Sequence, residues 1–306
     1  MPDRIVALDL GGTRLKAGVV DLGAAVTDAV TNAVTDAVTE STEGLDAEAA
    51  IDLVRRTVGR LADGGCSGIG LAVPGVVDDG VVTALPGKFP GLEGRDLAAA
   101  VAVDDLPVTV VNDAVAYAVG EAAYGAGQGA RRVVVVTIGT GVGVCVIEDG
   151  APLGAGPLGG GTLGGQIPIG EPEGPTDTSG RRGTIEARCR AEALVAYAHD
   201  QGVDTTSPRD LYAAARAGQP GAVAAVATYR GWLVRAVVAL AHAHAPEVLV
   251  LGGGPIQPGA PVLDGLPDAV SAELWRGYEP VIRPASLGDH AALLGLATLV
   301  LRRPPA

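Results

Sequence analysis

Two aspartates stand where a chain can do proton and metal chemistry. Asp9 lies near the end of the apolar run 5–10, just ahead of Gly11-Gly12-Thr13, and Asp113 follows Asn112 directly after the β-branched run 108–111. A Gly-Gly turn followed by a hydroxyl offers backbone N–H groups to a phosphate with no Cβ in the way. The same residues equally suit an ordinary hairpin turn. Gly139-Thr140-Gly141-Val142-Gly143 repeats this composition between the apolar runs 133–138 and 144–147, and two such turns are harder to dismiss than one. Gly252, Gly253 and Gly254 form a third turn after the run 248–251; it either lets a nucleotide base or ribose lie against bare backbone or simply links strand to helix. Asn112 and Asp113 occupy the strand end where α/β sheets hold ligands. They read either as an Asx helix cap or as a base that takes the proton of a hydroxyl attacking phosphorus. Neither GxxxxGK[ST] nor a helix-opening GxGxxG occurs, which excludes a P-loop and weakens a dinucleotide site.

The elements that must position these residues follow from periodicity. Runs 5–10 and 16–21 form a hairpin around the first glycine turn. The period-four stretch 26–40, built of Val-Thr-Asp/Asn-Ala units, puts each Val on one side of an extended strand and reads as strand and turn. Ala50, Leu53, Val54, Val58 and Leu61 recur at helical spacing within 46–63, ended by Gly64 and Gly65. Strands at 68–73 and 108–111 and a helix at 114–124 give the alternation of an α/β fold. Residues 150–183, dense in Gly and Pro, read as a functional or mobile loop. Helices at 184–201, 207–217 and 221–245, a strand at 248–251 and a final helix at 287–301 complete the chain. Because strand, glycine turn, strand occurs twice, we expect two lobes: residues 1–112, a smaller α/β lobe, and 113–306, a larger one, with the final helix packing back on the first.

Composition narrows the function classes. The 306 residues are 48% hydrophobic and 19% charged, with a formal net charge of −13, which argues against nucleic acid and anionic membranes as partners. Cys66, Cys145 and Cys189 are widely spaced and form no CxxC, so a reducing cytoplasm fits. The first ten residues lack the features of an export signal, and the apolar stretches are broken by charge, His or Gly before they reach membrane-spanning length.

Taken together, Asp9-Leu10-Gly11-Gly12-Thr13 with Lys16, Pro74-Gly75, Val111-Asn112-Asp113-Ala114 with Gly120-Glu121, Gly139-Thr140-Gly141-Val142-Gly143, Gly180-Arg181-Arg182-Gly183-Thr184-Ile185-Glu186 and Gly252-Gly253-Gly254 resemble the ROK family of sugar kinases and repressors, essentially end to end. The resemblance implies the two-lobed actin-like ATPase (ribonuclease H-like) fold, a mixed sheet with flanking helices in each lobe. It implies ATP phosphates on the first two glycine turns with Lys16 nearby and the nucleotide against the third. Asp113 is the implied general base, and Asn112 and Glu186, with Gly75 and Gln166 beside them, the implied sugar ligands. The implied protein is a cytoplasmic, homodimeric ATP- and Mg²⁺-dependent kinase acting on a primary hydroxyl, the 6-OH of a hexose or modified hexose. The competing class is a non-catalytic sugar sensor or regulator; the repressors carry a helix-turn-helix ahead of the first glycine turn, where only eight residues precede Asp9.

Departures from the family pattern matter as much. The family's sugar-contacting Glu and His fall at Leu163 and Gln166; Gln166 can hydrogen-bond a hydroxyl and Leu163 cannot. Ser179 and Thr184 stand at two of the family's zinc-binding Cys positions, so we expect no structural zinc. Lys88, in a loop where the family often has Asn near the sugar, reads as a substrate contact or a solvated loop lysine. His242 and His244 do not share a helix face and read as ordinary packed and surface residues. Trp232 and Trp275 read as core or interface.

Overall fold

The computed structural model describes residues 4–23, 30–62, 65–85, 87–103, 106–153 and 162–302. By its internal contacts the chain forms two compact units, one of Met1–Gly129, Gly150–Gly161 and Leu287–Ala306, the other of Ala130–Asp149 and Thr162–Ser286.

In the first unit, β1 (Arg4–Leu10), β2 (Arg14–Asp21) and β3 (Val34–Ser41) pair antiparallel around the first glycine turn. The period-four stretch thus supplies β3; its residues 26–29 lie outside the described residues. Helix α1 (Ala47–Leu61) starts at Asp46, whose side chain accepts from the Ala49 N–H at 2.9 Å, a cap of about 1 kcal/mol. It buries the five apolar residues picked out by helical spacing. The expected helix end at Asp63 and Gly64 lies outside the described residues. Strands β4 (Cys66–Val73) and β7 (Val108–Asn112) run parallel to β1, giving the order β3-β2-β1-β4-β7, and β5 (Val76–Asp78) and β6 (Val81–Ala84) form a small separate hairpin. Helix α2 (Leu97–Ala100) is a single turn; α3 (Asp113–Tyr124) leaves the end of β7.

The expected boundary at residue 112 does not coincide with the units. Helix α3 belongs to the first unit because it packs on α9 (Ala291–Arg302), which also covers β1 and β4. Gly68 and Gly70 of β4 make the room: a Cβ there would meet Val300 at 2.7 Å and Leu296 at 2.9 Å. Between α3 and α9 the approach is closer still, since a Cβ on Gly120 would overlap the Ala291 carbonyl and one on Gly295 the Ala116 carbonyl.

The second unit repeats the motif. β8 (Arg132–Ile138) and β9 (Val142–Glu148) pair antiparallel around the second glycine turn, and β10 (Val248–Gly253) and β11 (Val281–Pro284) extend the sheet in parallel, in the order β9-β8-β10-β11. The one helix expected over 184–201 is two, α4 (Ile185–Cys189) and α5 (Ala191–Asp200), because Arg190 has extended backbone (φ −63°, ψ 161°). The break frees the Ala191 N–H to bond the Gly139 carbonyl at 2.9 Å, tying the helix start to the glycine turn. Helices α6 (Pro208–Arg216), α7 (Pro220–His244) and α8 (Leu266–Ser271) complete the layer. By length and composition α7 could cross a bilayer, which the run-by-run reading overlooked. Its stripe of Ala222, Val226, Tyr229, Leu233, Val237 and Leu240 is buried in this unit's core, while Arg230 is half-buried and Arg235 exposed off that stripe, as in an amphipathic core helix.

Candidate active site

The first unit gathers one set of the residues singled out by sequence. Asp9 and Lys16 face each other across β1 and β2, and between them the Gly11 N–H closes the turn on the Arg14 carbonyl at 2.9 Å. Buried Thr42 fixes that turn from β3's end: its hydroxyl donates to the Gly11 carbonyl at 2.7 Å and its N–H to the Thr13 carbonyl at 3.1 Å. No local pattern marks Thr42, which acts across 31 residues. Asn112 is the helix cap: its Oδ1 accepts from Ala114 N–H at 2.9 Å and Val115 N–H at 3.3 Å, while its Nδ2 donates to the Gly75 carbonyl at 2.7 Å. Most of its hydrogen-bonding capacity therefore holds Asp113 at the start of α3. Gly75 is glycine because its φ is +89° and a Cβ would overlap the Ala84 carbonyl.

The electrostatics of this set are unfavourable at rest. Burial, and next the Asp113 charge, push the Asp9 carboxyl up to about 7, against the pull of Lys16. Burial also raises Asp113, opposed by the Ala114 N–H and by the Lys88 charge. Lys16 is shared: its ammonium lies 2.6 Å from Asp289, a residue the sequence reading missed, and this hydrogen bond holds the Asp289 carboxyl low.

The second unit gathers the other set by different means. The Gly139 N–H bonds the Gly141 carbonyl at 2.9 Å, and Thr140 is exposed at the tip. Glu186, 5% exposed, sits in the first turn of α4, capped by Thr184. Its Oε2 accepts from Val142 N–H at 2.9 Å; its Oε1 accepts from Thr178 N–H at 2.7 Å and Thr178 hydroxyl at 2.5 Å. A Cβ on Gly141 would come within 2.8 Å of that carboxylate, so the turn's middle glycine makes space for Glu186. Beside it, buried Asp177 accepts from Ser179 N–H, Ser179 hydroxyl, Arg181 N–H and Thr184 hydroxyl at 2.7–2.9 Å. Burial alone would raise its carboxyl, but these bonds outweigh it and the net shift is downward. The Asp-Thr-Ser-Gly sequence at 177–180 is an Asx-turn signal that could have revealed it. Gly164 and Gly165 pack against Val144 and the Val142 carbonyl, which delivers Gln166 beside β9 with its Oε1 buried and unpartnered. Leu163 is 49% exposed. Residues 154–161 of the Gly-rich loop lie outside the described residues. Gly253 (φ +104°) has no room for a Cβ against the Ile138 carbonyl, whereas Gly254 is open and exposed; Gly252 extends β10 opposite Thr137.

Trp232 lies between Arg188 and Arg235, 4.3 and 4.9 Å from their guanidinium carbons, and Trp275 is 79% exposed, outside the core. His242 accepts the Trp275 N–H at 3.1 Å.

A family model described as the ROK family matches residues 5–303. A glucokinase of Thermotoga maritima is 29% identical over 98% of each chain, and an N-acetylgalactosamine kinase of a Shewanella species is 29% identical over 95% of each. A ROK family glucokinase from Streptomyces griseus, solved with glucose and AMPPNP, is 28% identical and superposes with a TM-score of 0.82 over 98% of this chain and 100% of its own.

Proposed function

The chain belongs to the ROK family and has its actin-like ATPase fold, and from that premise we propose that it is an ATP-dependent sugar kinase acting on a primary hydroxyl, the 6-OH of a hexose or modified hexose. The observation that carries this reading is Asp113, raised by burial and pinned by Asn112 in the same unit as Asp9 and the Gly11-Gly12-Thr13 turn. A base is most effective when its pKa lies near working pH, and burial moves Asp113 in that direction. Asp113 takes the proton of the attacking hydroxyl. The backbone of Gly11, Gly12 and Thr13, with Lys16, and the 139–143 turn receive the donor's phosphates, and the 252–254 turn takes the remainder of the nucleotide. Gln166 and Glu186 hold sugar hydroxyls; the unpartnered Oε1 of Gln166 is an acceptor in want of a donor.

The residues also fit a divalent cation. Burial and the Asp113 charge both raise Asp9, the environment a metal relieves, and a single carboxylate beside phosphates suffices for Mg²⁺. Asp9 would hold the ion, directly or through water, and Mg²⁺ would supply neutralisation of the donor's phosphate charge. We take the enzyme to be cytoplasmic and homodimeric, the latter read by light scattering.

Leu163 and Gln166 bear on the choice of sugar. Without the family's Glu and His, a hydroxyl near carbon one or two loses a partner, at about 1–3 kcal/mol if it stays buried. A sugar altered at carbons one to three, an aminohexose or deoxyhexose with its 6-OH intact, should then exceed glucose in kcat/KM. The test is a coupled ADP-release assay over glucose, mannose, glucosamine, kanosamine, N-acetylmannosamine and 2-deoxyglucose. Glucose ranking first, at about 10⁵ M⁻¹s⁻¹ or above, overturns the specificity argument. No ADP with any sugar overturns the kinase and leaves the sensor.

A further inference from the structure

We propose that the Lys88 ammonium is a ligand for a phosphoryl group, on the kinase reading above the one being transferred. Lys88 is half-buried and makes no hydrogen bond or ion pair with any described residue. Its side chain lies across Gly12: a Cβ there would meet Lys88 Cε at 2.8 Å, Nζ at 2.9 Å and Cδ at 3.0 Å. Gly12 has no positive φ to explain it. The ammonium end of Lys88 therefore lies directly against the turn expected to hold phosphate.

The loop that carries Lys88 is held firmly. Phe89 is buried and adopts a left-handed φ of +44°, which costs a non-glycine residue and persists only where the surroundings enforce it. The Leu92 N–H bonds the Phe89 carbonyl at 3.0 Å, and the Pro90 carbonyl accepts the Ala47 N–H at 3.0 Å. A solvated loop lysine needs no such support. The ammonium itself is open to water, which an anion arriving at the turn would replace. The nearby carboxylates do not: Asp113 feels the Lys88 charge, yet no ion pair joins them.

The chemistry follows from that position. As Asp113 takes the hydroxyl proton, the acceptor oxygen bonds to phosphorus and the bond to the bridging oxygen breaks, its electron pair leaving on ADP. Charge is spread over the phosphoryl oxygens throughout, and a fixed ammonium over the turn stabilises it without reorganisation.

The test compares Lys88→Met and Lys88→Arg with wild type, using ATP and the best hexose. For Lys88→Met we expect kcat to fall about 10²-fold, the size of effect seen on removing one charge-stabilising donor. We expect the sugar KM to stay within about threefold, as only phosphoryl stabilisation is lost. Without the cation Asp113 rises further, so the acid limb of the kcat profile should move to higher pH; Lys88→Arg should restore part of kcat. Equal melting temperatures check folding. Retention of more than about a third of kcat, or a loss confined to the sugar KM, overturns the proposal. A second arm needs no turnover: calorimetric titration of tripolyphosphate should show weaker binding to Lys88→Met. If wild type releases no ADP with any sugar, the kinase reading fails while this arm still decides; equal binding to both proteins overturns the proposal.

Discussion

Beside the turn between β1 and β2, ionisable groups are crowded: burial and the Asp113 charge raise Asp9, burial raises Asp113, and Lys16 and Lys88 only partly compensate. In the turn between β8 and β9, Glu186 spends its carboxylate on the N–H groups of Val142 and Thr178, and Asp177 does likewise for the loop beside it. Two turns of similar composition thus sit in opposite electrostatic states. One carries like charge that folding alone would not select, the mark of a site tuned for chemistry; the other is satisfied by hydrogen bonds, so the residues proposed to hold ligand there also hold the fold. Substituting the first should cost activity without stability, and substituting the second should cost both.

The sharpest way to break this contrast is Asp113→Asn. It should lower kcat by about 10²- to 10⁴-fold while leaving the melting temperature equal or higher, because it removes a charge beside Asp9. Retention of more than about a tenth of kcat would take Asp113 out of the role. Next comes Glu186→Gln, which replaces one acceptor oxygen with a donor facing a donor. Urea unfolding should show a loss of about 1–3 kcal/mol, and kcat/KM should fall roughly tenfold with it; an unchanged midpoint would mean that the second turn does not depend on Glu186. Asp9→Asn sharpens the comparison through pH. Folded Asp9 keeps its proton up to about 7 while the unfolded chain releases it near 3.8, so this group's contribution to stability declines as pH rises through that window. In Mg²⁺-free buffer the variant should match wild type near pH 4 and melt about 2 °C or more higher at pH 8; equal melting points at pH 8 would deny the stored repulsion. The smallest effect concerns metal. Because Ser179 and Thr184 both donate to Asp177, chelator should leave the melting temperature unchanged and activity intact once Mg²⁺ is restored; one zinc per chain by elemental analysis would contradict this.

What the sequence revealed and what it concealed divide along the reach of the interactions. The strands around both glycine turns and the Asn112-Asp113 corner are local patterns of periodicity and turn chemistry and fold as read, whereas β5, β6 and β11, short runs with weak patterning, went unread. Arg190 breaks a helix whose apolar spacing runs on unbroken, because a backbone bond from Ala191 to Gly139, some fifty residues back in the chain, competes with the local pattern. The placement of α3 in the first unit depends on Gly120 and Gly295 meeting carbonyls of each other's helices, which no window of sequence contains. Lys88 reads as an ordinary loop lysine until Gly12 is seen beneath it.

The place of α9 also sets an order of assembly. A ribosome delivers residues 130–286 before the helix that covers β1, β4 and α3 in the first unit, so the second unit can close while the first still exposes the apolar surface meant for Leu296 and Val300. Chains arrested before Leu287 should accordingly be cut by protease within residues 4–129 and resist within 162–286; the reverse pattern would show that α9 is not needed to close the first unit.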